Sequence, residues 1–221
     1  MATGPAGSPP TPFTKVHRLP DRAAYDRDAV WAVLDAALIA HVGLVRQGRP
    51  VVIPMLFGRL DDAVYLHGSV AAGLLRDGGA GHEVCLTATV VDGLVMARSA
   101  FHHSMNYRSV VVVGVAEPVE GDDDKHDGLR AIAEHLTPGR WDEARPPTAA
   151  ELRKTAVLRL GLDEASTKCR TGGPADDEAD LGLGVWAGVV PVGLRYGLPE
   201  AAADLRPGVD PSPAVAALGH A

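Results

Sequence analysis

The sequence predicts an α+β protein built on an antiparallel barrel. About six apolar or alternating segments are joined by short turns, as antiparallel strands are. The helical segments do not alternate regularly with them, as a parallel sheet would require. No glycine-rich dinucleotide fingerprint follows a strand, because Gly68, Gly73, Gly78 and Gly79 have the wrong spacing.

Taken in order, the first 14 residues are rich in Gly, Pro and Ser and predict a disordered segment. Asp26 and Asp28 precede AVWAVLDAALIA, in which Val30, Trp31, Leu34, Leu38 and Ile39 fall near helical spacing. The aspartates can cap the orphan amides, so a helix is expected over about 27–40. HVGLVRQ and PVVIPMLFGRL flank a tight turn at Gly48-Arg49 and read as two strands. A second turn at Asp61-Asp62 leads into the strand AVYLHG, and Ser69 reads as the N-cap of a short helix closed by Gly78-Gly79.

EVCLTATVVDG is the next strand, followed by LVMARSA. The run Val110 to Val113 plus Val115 predicts a strand buried on both faces, continuing through Pro118 and Val119. Asp122 to Asp124 open a helix ending near Leu136, where Pro138-Gly139 stops it, and Thr148 with Glu151 forms a capping-box pattern. AVLRLGLDEAS reads as one final alternating strand. The Ala/Pro-rich tail, residues 197–221, is expected to fray, leaving a compact body of about residues 15–196.

A chain of 221 residues can bury one sizeable core. With 46% hydrophobic and 22% charged residues it fits a soluble globular class, and no segment approaches the roughly 20 apolar residues of a membrane span. A formal charge of −7 gives no electrostatic reason to bind nucleic acid or an anionic membrane, so neither is expected as a partner. Cys85 and Cys169 match no zinc or redox spacing, and free thiols together with the lack of an apolar leader point to the cytoplasm.

The most informative stretch is ARSAFHHSMNYRSVVVVG, Ala97 to Gly114, where a polar cluster enters an apolar strand. Buried polar groups need partners, supplied by the fold or by a ligand, and a polar edge on an apolar strand suits a small-molecule site. His102 and His103 point to opposite faces if extended, so they are poor joint ligands for one metal ion, and none is expected. Tyr107 and Ser109 share one strand face and Arg108 the other. An arginine entering a buried strand must meet an anion, either a carboxylate of the chain or a ligand. Lys168 and Arg170, two apart, share a face and can clamp a phosphate, or they can lie on a solvated loop. Tyr65-Leu66-His67-Gly68-Ser69 ends a strand at a helix start, which offers amides to an anion or simply caps its own helix. Trp186 reads as core or interface, with a ligand-lining role as the minority alternative.

Together these segments resemble the FMN-binding split-barrel superfamily, the pyridoxamine-phosphate-oxidase-like group, and within it the branch that includes nitroimidazole-resistance proteins. The resemblance rests on the first helix, VVIPMLF followed by YLHGS, SAFHHSMNYRSVVVVGVAEPVE, PGRW with Arg145-Pro146, AVLRLGLDEASTKCRTG and WAGVVP. These occur in order and cover about residues 15–193. The resemblance implies a six-stranded Greek-key split barrel with peripheral helices that forms a homodimer and holds FMN in clefts at the interface. By position it sets Val52, Ile53, Pro54 and Met55 beside the flavin ring and His67, Gly68 and Ser69 near the ribityl phosphate. Asn106, Tyr107, Arg108 and Ser109 would line the same cleft, and Lys168 and Trp186 are carried over with them.

One departure stands out. Many relatives place a basic residue early in the helix after the serine, where this chain reads Val70-Ala71-Ala72-Gly73-Leu74-Leu75 before its first cation, Arg76. Phosphate affinity then falls to Arg108, Lys168 or Arg170, or is poor, and a cofactor-free scaffold is the outcome if it is lost. The resemblance implies a flavin-dependent oxidoreductase acting on a small molecule, and His102 or His103, His102 first, is the candidate proton donor because imidazole ionises near neutral pH. The alternative is a redox-silent flavin- or haem-binding carrier or sensor, and deazaflavin in place of FMN is also open.

Overall fold

The computed structural model describes residues 10–69 and 81–219. Its elements in chain order are β1 (Ala23–Ala24), α1 (Arg27–Ala36), β2 (Ala40–Arg46), β3 (Arg49–Met55), β4 (Phe57–Leu60), β5 (Ala63–Ser69), β6 (His82–Met96) and β7 (Ser104–Pro118). Then come α2 (Asp122–Leu136), α3 (Arg140–Glu143), α4 (Ala149–Lys154), β8 (Thr155–Gly161), β9 (Ala165–Arg170), β10 (Gly188–Pro191) and α5 (Pro213–Leu218). The strand ladders described below are antiparallel, as the turn spacing requires. No helix among the described residues is long and apolar enough to cross a membrane.

The chain divides into two compact units. The first comprises residues up to Pro54, Val84–Gly114 and Leu162–Gly193. In it β2 pairs with β6 (Val42 opposite Leu86), β10 with β6 (Val189 opposite Val95), β7 with β9 (Val110 opposite Thr167) and β1 with β9. The β2–β3 hairpin turns on Gln47 and Gly48, both at positive φ (50° and 73°), one residue before the expected Gly48-Arg49. α1 packs on β9. Its N-cap is Asp26, whose Oδ1 accepts from Ala29 N at 2.9 Å. Leu34, Val42, Leu86, Val95, Val110 and Val112 are wholly buried.

Two expectations fail here. α1 stops at Ala36 instead of reaching 40, because Ala37 turns extended and Ala40 starts β2, which leaves Ile39 outside the helix and 48% exposed. The valine run is not buried on both faces. Val110, Val112 and Ala116 point inward, while Val111 and Val113 are half-buried and Val115 is 44% exposed. The strand therefore follows the two-residue alternation of an antiparallel sheet with one covered face.

The second unit comprises Met55–Glu83, Val115–Gly161 and Leu194–Ala221. β4 and β5 form a hairpin at Asp61 (φ 51°), β5 pairs with β8 along its length from Ala63–Gly161 to Ser69–Thr155, and β7 pairs with β8 through Ala116–Leu160. α2 begins at the three aspartates and ends at Leu136, as the sequence predicts. It lies so close to β4 and β5 that Gly58 and Gly128 have no room for a side chain. The expected capping box forms at the start of α4, where Thr148 Oγ1 accepts from Glu151 N and Glu151 accepts from Thr148 N at 2.7 Å. With Arg145 bonded to the same carboxylate, the side chain of Glu151 ionises at about 2.

The stretches expected as single strands are split. PVVIPMLFGRL breaks at Leu56 into β3 and β4, and AVLRLGLDEAS breaks between Gly161 and Ala165 into β8 and β9. The tail does not fray throughout, because α5 forms within it. Ala214 is buried, its amide donates to Glu143 Oε1 at 3.1 Å, and Arg140 donates to Ser212 Oγ at 3.1 Å.

Candidate functional site

The polar entry to β7 is paired by the first unit itself. The Nδ2 of Asn106 donates to the carbonyl of Gly172 at 3.1 Å, and its Oδ1 accepts from Arg170 Nη1 at 2.5 Å. The guanidinium of Arg170 also reaches Gly172 O at 3.3 Å and Gly173 O at 3.0 Å. Gly172 sits at φ +97°, a conformation only glycine adopts cheaply, and this folds the loop after β9 back over the guanidinium. Asn106 and Arg170 are both buried, at 9% and 8% exposure.

The neighbouring residues have partners as well. Arg108 grips Asp92 with Nε and Nη2, the shortest contact being 2.7 Å, which resolves the alternative of the sequence reading toward a carboxylate of the chain. That hydrogen bond holds the carboxyl of Asp92 below the usual aspartate range and raises the Arg108 guanidinium. Ser109 Oγ donates to the carbonyl of Lys168 at 3.1 Å, and Lys168 Nζ donates to the carbonyl of Arg18 at 2.7 Å. Tyr107 lies opposite Arg170 in the ladder and is half-buried.

His102 and His103 are not on a strand. Ser99 caps a single 3-10 turn, Ala100–His102, by accepting from Phe101 N at 3.2 Å, and β7 begins only at Ser104. His102 Nε2 lies 3.2 Å from Asp177 Oδ2, and His103 Nδ1 donates to Ser99 O at 3.0 Å. The acidic loop is latched to the same turn by Asp176, whose carboxylate takes the backbone amide and Nη1 of Arg98, both at 2.8 Å. Burial works against ionisation of Asp176, but the two Arg98 bonds outweigh it and hold the carboxyl below its ordinary value.

This latch has a testable pH dependence. A carboxyl with a depressed folded value contributes stability above the unfolded value of about 3.9 and loses it as pH falls through the folded value. Proteolysis within residues 174–186 is therefore expected to be slow at neutral pH. It should speed up in Asp176→Asn already at pH 7, and equal rates for the two proteins would remove the latch.

Val52 and Pro54 lie on the exposed face of β3, Val52 at 62%, with Ile53 half-buried between them. Trp186 is 65% exposed and so not core. Its ring lies over Gly188, where a Cβ would come within 2.9 Å of it. The second unit carries Met55, His67, Gly68 and Ser69. His67 is half-buried opposite Val157, and its Nδ1 is wholly buried with no hydrogen-bond partner among the described residues. Burial lowers its pKa, which favours the neutral imidazole. Ser69 ends β5 opposite Thr155. The helix expected after it, with its missing early cation, lies outside the described residues. The sequence reading missed Asp92 and the Gly172–Gly173 carbonyls. Asp176 and Asp177 belong to an acidic run with Glu178 and Asp180, which shows in the sequence without its partners.

A sequence model described as pyridoxamine 5'-phosphate oxidase matches residues 26–169. The chain belongs to that family. Membership fixes a fold and leaves the reaction open. Two solved structures are similar over nearly the whole chain. The flavocytochrome Anf3 from Azotobacter vinelandii is 40% identical with a TM-score of 0.88, over 96% of this chain and 98% of its own. The FAD and heme binding protein from Mycobacterium smegmatis is 37% identical with a TM-score of 0.84, over 89% and 97%. A putative 5-nitroimidazole antibiotic resistance protein from Bacteroides thetaiotaomicron shares the fold at 24% identity and a TM-score of 0.56, over 66% and 85%. The α+β split-barrel class expected from the sequence is thus the family's fold. A search of curated proteins finds no match.

Proposed function

We propose that this chain binds a flavin nucleotide and acts as an oxidoreductase on a small molecule, as a homodimer in the cytoplasm. The similarity of nearly the whole chain to a flavocytochrome and to an FAD- and heme-binding protein carries the reading. Two features of the chain fit a flavin nucleotide. Val52 and Pro54 offer an exposed apolar strand face to a planar ring, and the buried guanidinium of Arg170 has only neutral acceptors among the described residues. The exposed apolar side chains of the first unit, Val45, Val52 and Trp186 among them, suit burial against a second copy. FMN follows from the sequence resemblance and FAD from the Mycobacterium smegmatis relative, so both are candidates.

When bound, a flavin supplies hydride transfer, and the protein supplies orientation, hydrogen bonds and exclusion of water. His102, tethered to Asp177, is the candidate proton donor to a reduced substrate. Turnover is expected to drop at least about tenfold in His102→Ala with retained flavin unchanged, and undiminished turnover would remove that role.

A second reading follows from the haem named for the Mycobacterium smegmatis relative. Burial disfavours the charged form of His67, the neutral form is the one that ligates iron, and its buried Nδ1 has no partner among the described residues. A haem-binding protein without flavin turnover is therefore the rival. The deciding assay loads the protein with FMN or FAD, removes the excess and follows oxidation of a reduced nicotinamide. Steady oxidation supports the oxidoreductase, whereas retained but unreactive flavin supports a redox-silent carrier.

A further inference from the structure

Arg170 carries a positive charge into the first unit with no carboxylate to meet it among the described residues. Its guanidinium is 8% exposed as a residue and bonds to Asn106 Oδ1, Gly172 O and Gly173 O, which are all neutral. Other arginines of the chain behave differently. Arg98 meets Asp176, Arg108 meets Asp92 and Arg145 meets Glu151. A buried cation held only by dipoles is incompletely compensated, and an anion restores the balance.

The arrangement is also built to hold the guanidinium still. Asn106 turns its oxygen to Arg170 because its Nδ2 is committed to Gly172 O, and the positive φ of Gly172 brings two loop carbonyls to the same group. The Nε–H of Arg170 has no acceptor among the described residues, and neither it nor any other Arg170 nitrogen is a buried unpaired atom. A donor is thus left over on a fixed planar fork, the geometry that takes phosphate oxygens.

We propose that Arg170, oriented by Asn106, is the cation that binds the phosphate of the flavin nucleotide. The inference rests on the flavin reading above. It distinguishes among the three cations the sequence left open. Arg108 is already neutralised by Asp92, and Lys168 is only half-buried, so solvent compensates its charge in part. Phosphate monoester and diphosphate share the chemistry, so FMN and FAD are separated by the test.

The test titrates FMN, FAD and riboflavin, which lacks phosphate, into the wild type and Arg170→Gln. In the wild type the phosphorylated flavins are expected to bind about 10- to 100-fold more tightly than riboflavin, the range of a charged hydrogen bond. In Arg170→Gln that preference should vanish while riboflavin affinity stays. A residue that merely staples the loop would change stability and leave the preference intact, and that result overturns the proposal.

Asn106→Asp covers the case in which Arg170→Gln fails to fold. It sets a carboxylate against the guanidinium and should weaken FMN without weakening riboflavin, and unchanged FMN affinity overturns the assignment. If the wild type takes no flavin at all, the flavin reading fails separately. The anion site is then read with inorganic pyrophosphate, which should raise the melting temperature of the wild type and not of either variant. No such rise rejects the site.

Discussion

Gly58→Ala is expected to destabilise the protein by about 3 kcal/mol, the upper part of the overpacking range. An added Cβ would lie 2.3 Å from the carbonyl carbon and oxygen of Ala131 and 2.4 Å from the amide nitrogen of Ile132. These are backbone atoms of α2, so no rotamer change relieves the clash and the 15-residue helix must shift as a body. Moving it disturbs Gly128, against which Tyr65 and Val157 already pack at a distance that leaves no room for a methyl. Gly182→Ala is the control, because a Cβ there meets nothing within 4 Å, and it should fall within about 0.5 kcal/mol of the wild type. Urea unfolding monitored by far-UV circular dichroism reads both. A wild-type midpoint for Gly58→Ala would mean that α2 does not sit against β4 as described.

Leu34→Ala is the second large effect, at about 3 kcal/mol, whereas Ile39→Ala should cost no more than about 0.5 kcal/mol. In the sequence the two residues belong to the same apolar stripe. In the structure Leu34 has no exposed surface in α1, and Ile39 lies past the helix end and is about half exposed. The same unfolding assay checks the pair. Equal losses would restore the longer helix.

That pair also shows where sequence reasoning stops. The N-cap at Asp26, the span of α2, the capping box at Thr148 and the turn at Asp61 were all legible, because each depends on local chemistry within a few residues. The helix end at Ala36 was not legible, since it is set by recruitment of Ala40 into a strand whose partner, β6, lies more than 40 residues away. The valine run misled for a related reason. Composition says β-strand, but the number of covered faces depends on what packs on the sheet. In the candidate site, the residue types at Asn106, Arg108 and Lys168 were visible as polar groups needing partners. Which partners they find, Arg170, Asp92 and the carbonyl of Arg18, depends on long-range pairing of β6, β7 and β9. Arg170 in particular looked like one half of an exposed clamp with Lys168, yet one is buried and the other reaches a surface carbonyl.

The visible absorption spectrum of the purified protein tests flavin binding most directly, recorded before and after saturation with FMN or FAD and removal of the excess. The paired visible bands of a flavin are expected to stay with the protein, at about one flavin per chain. A protein that remains colourless after saturation with both nucleotides would contradict flavin binding.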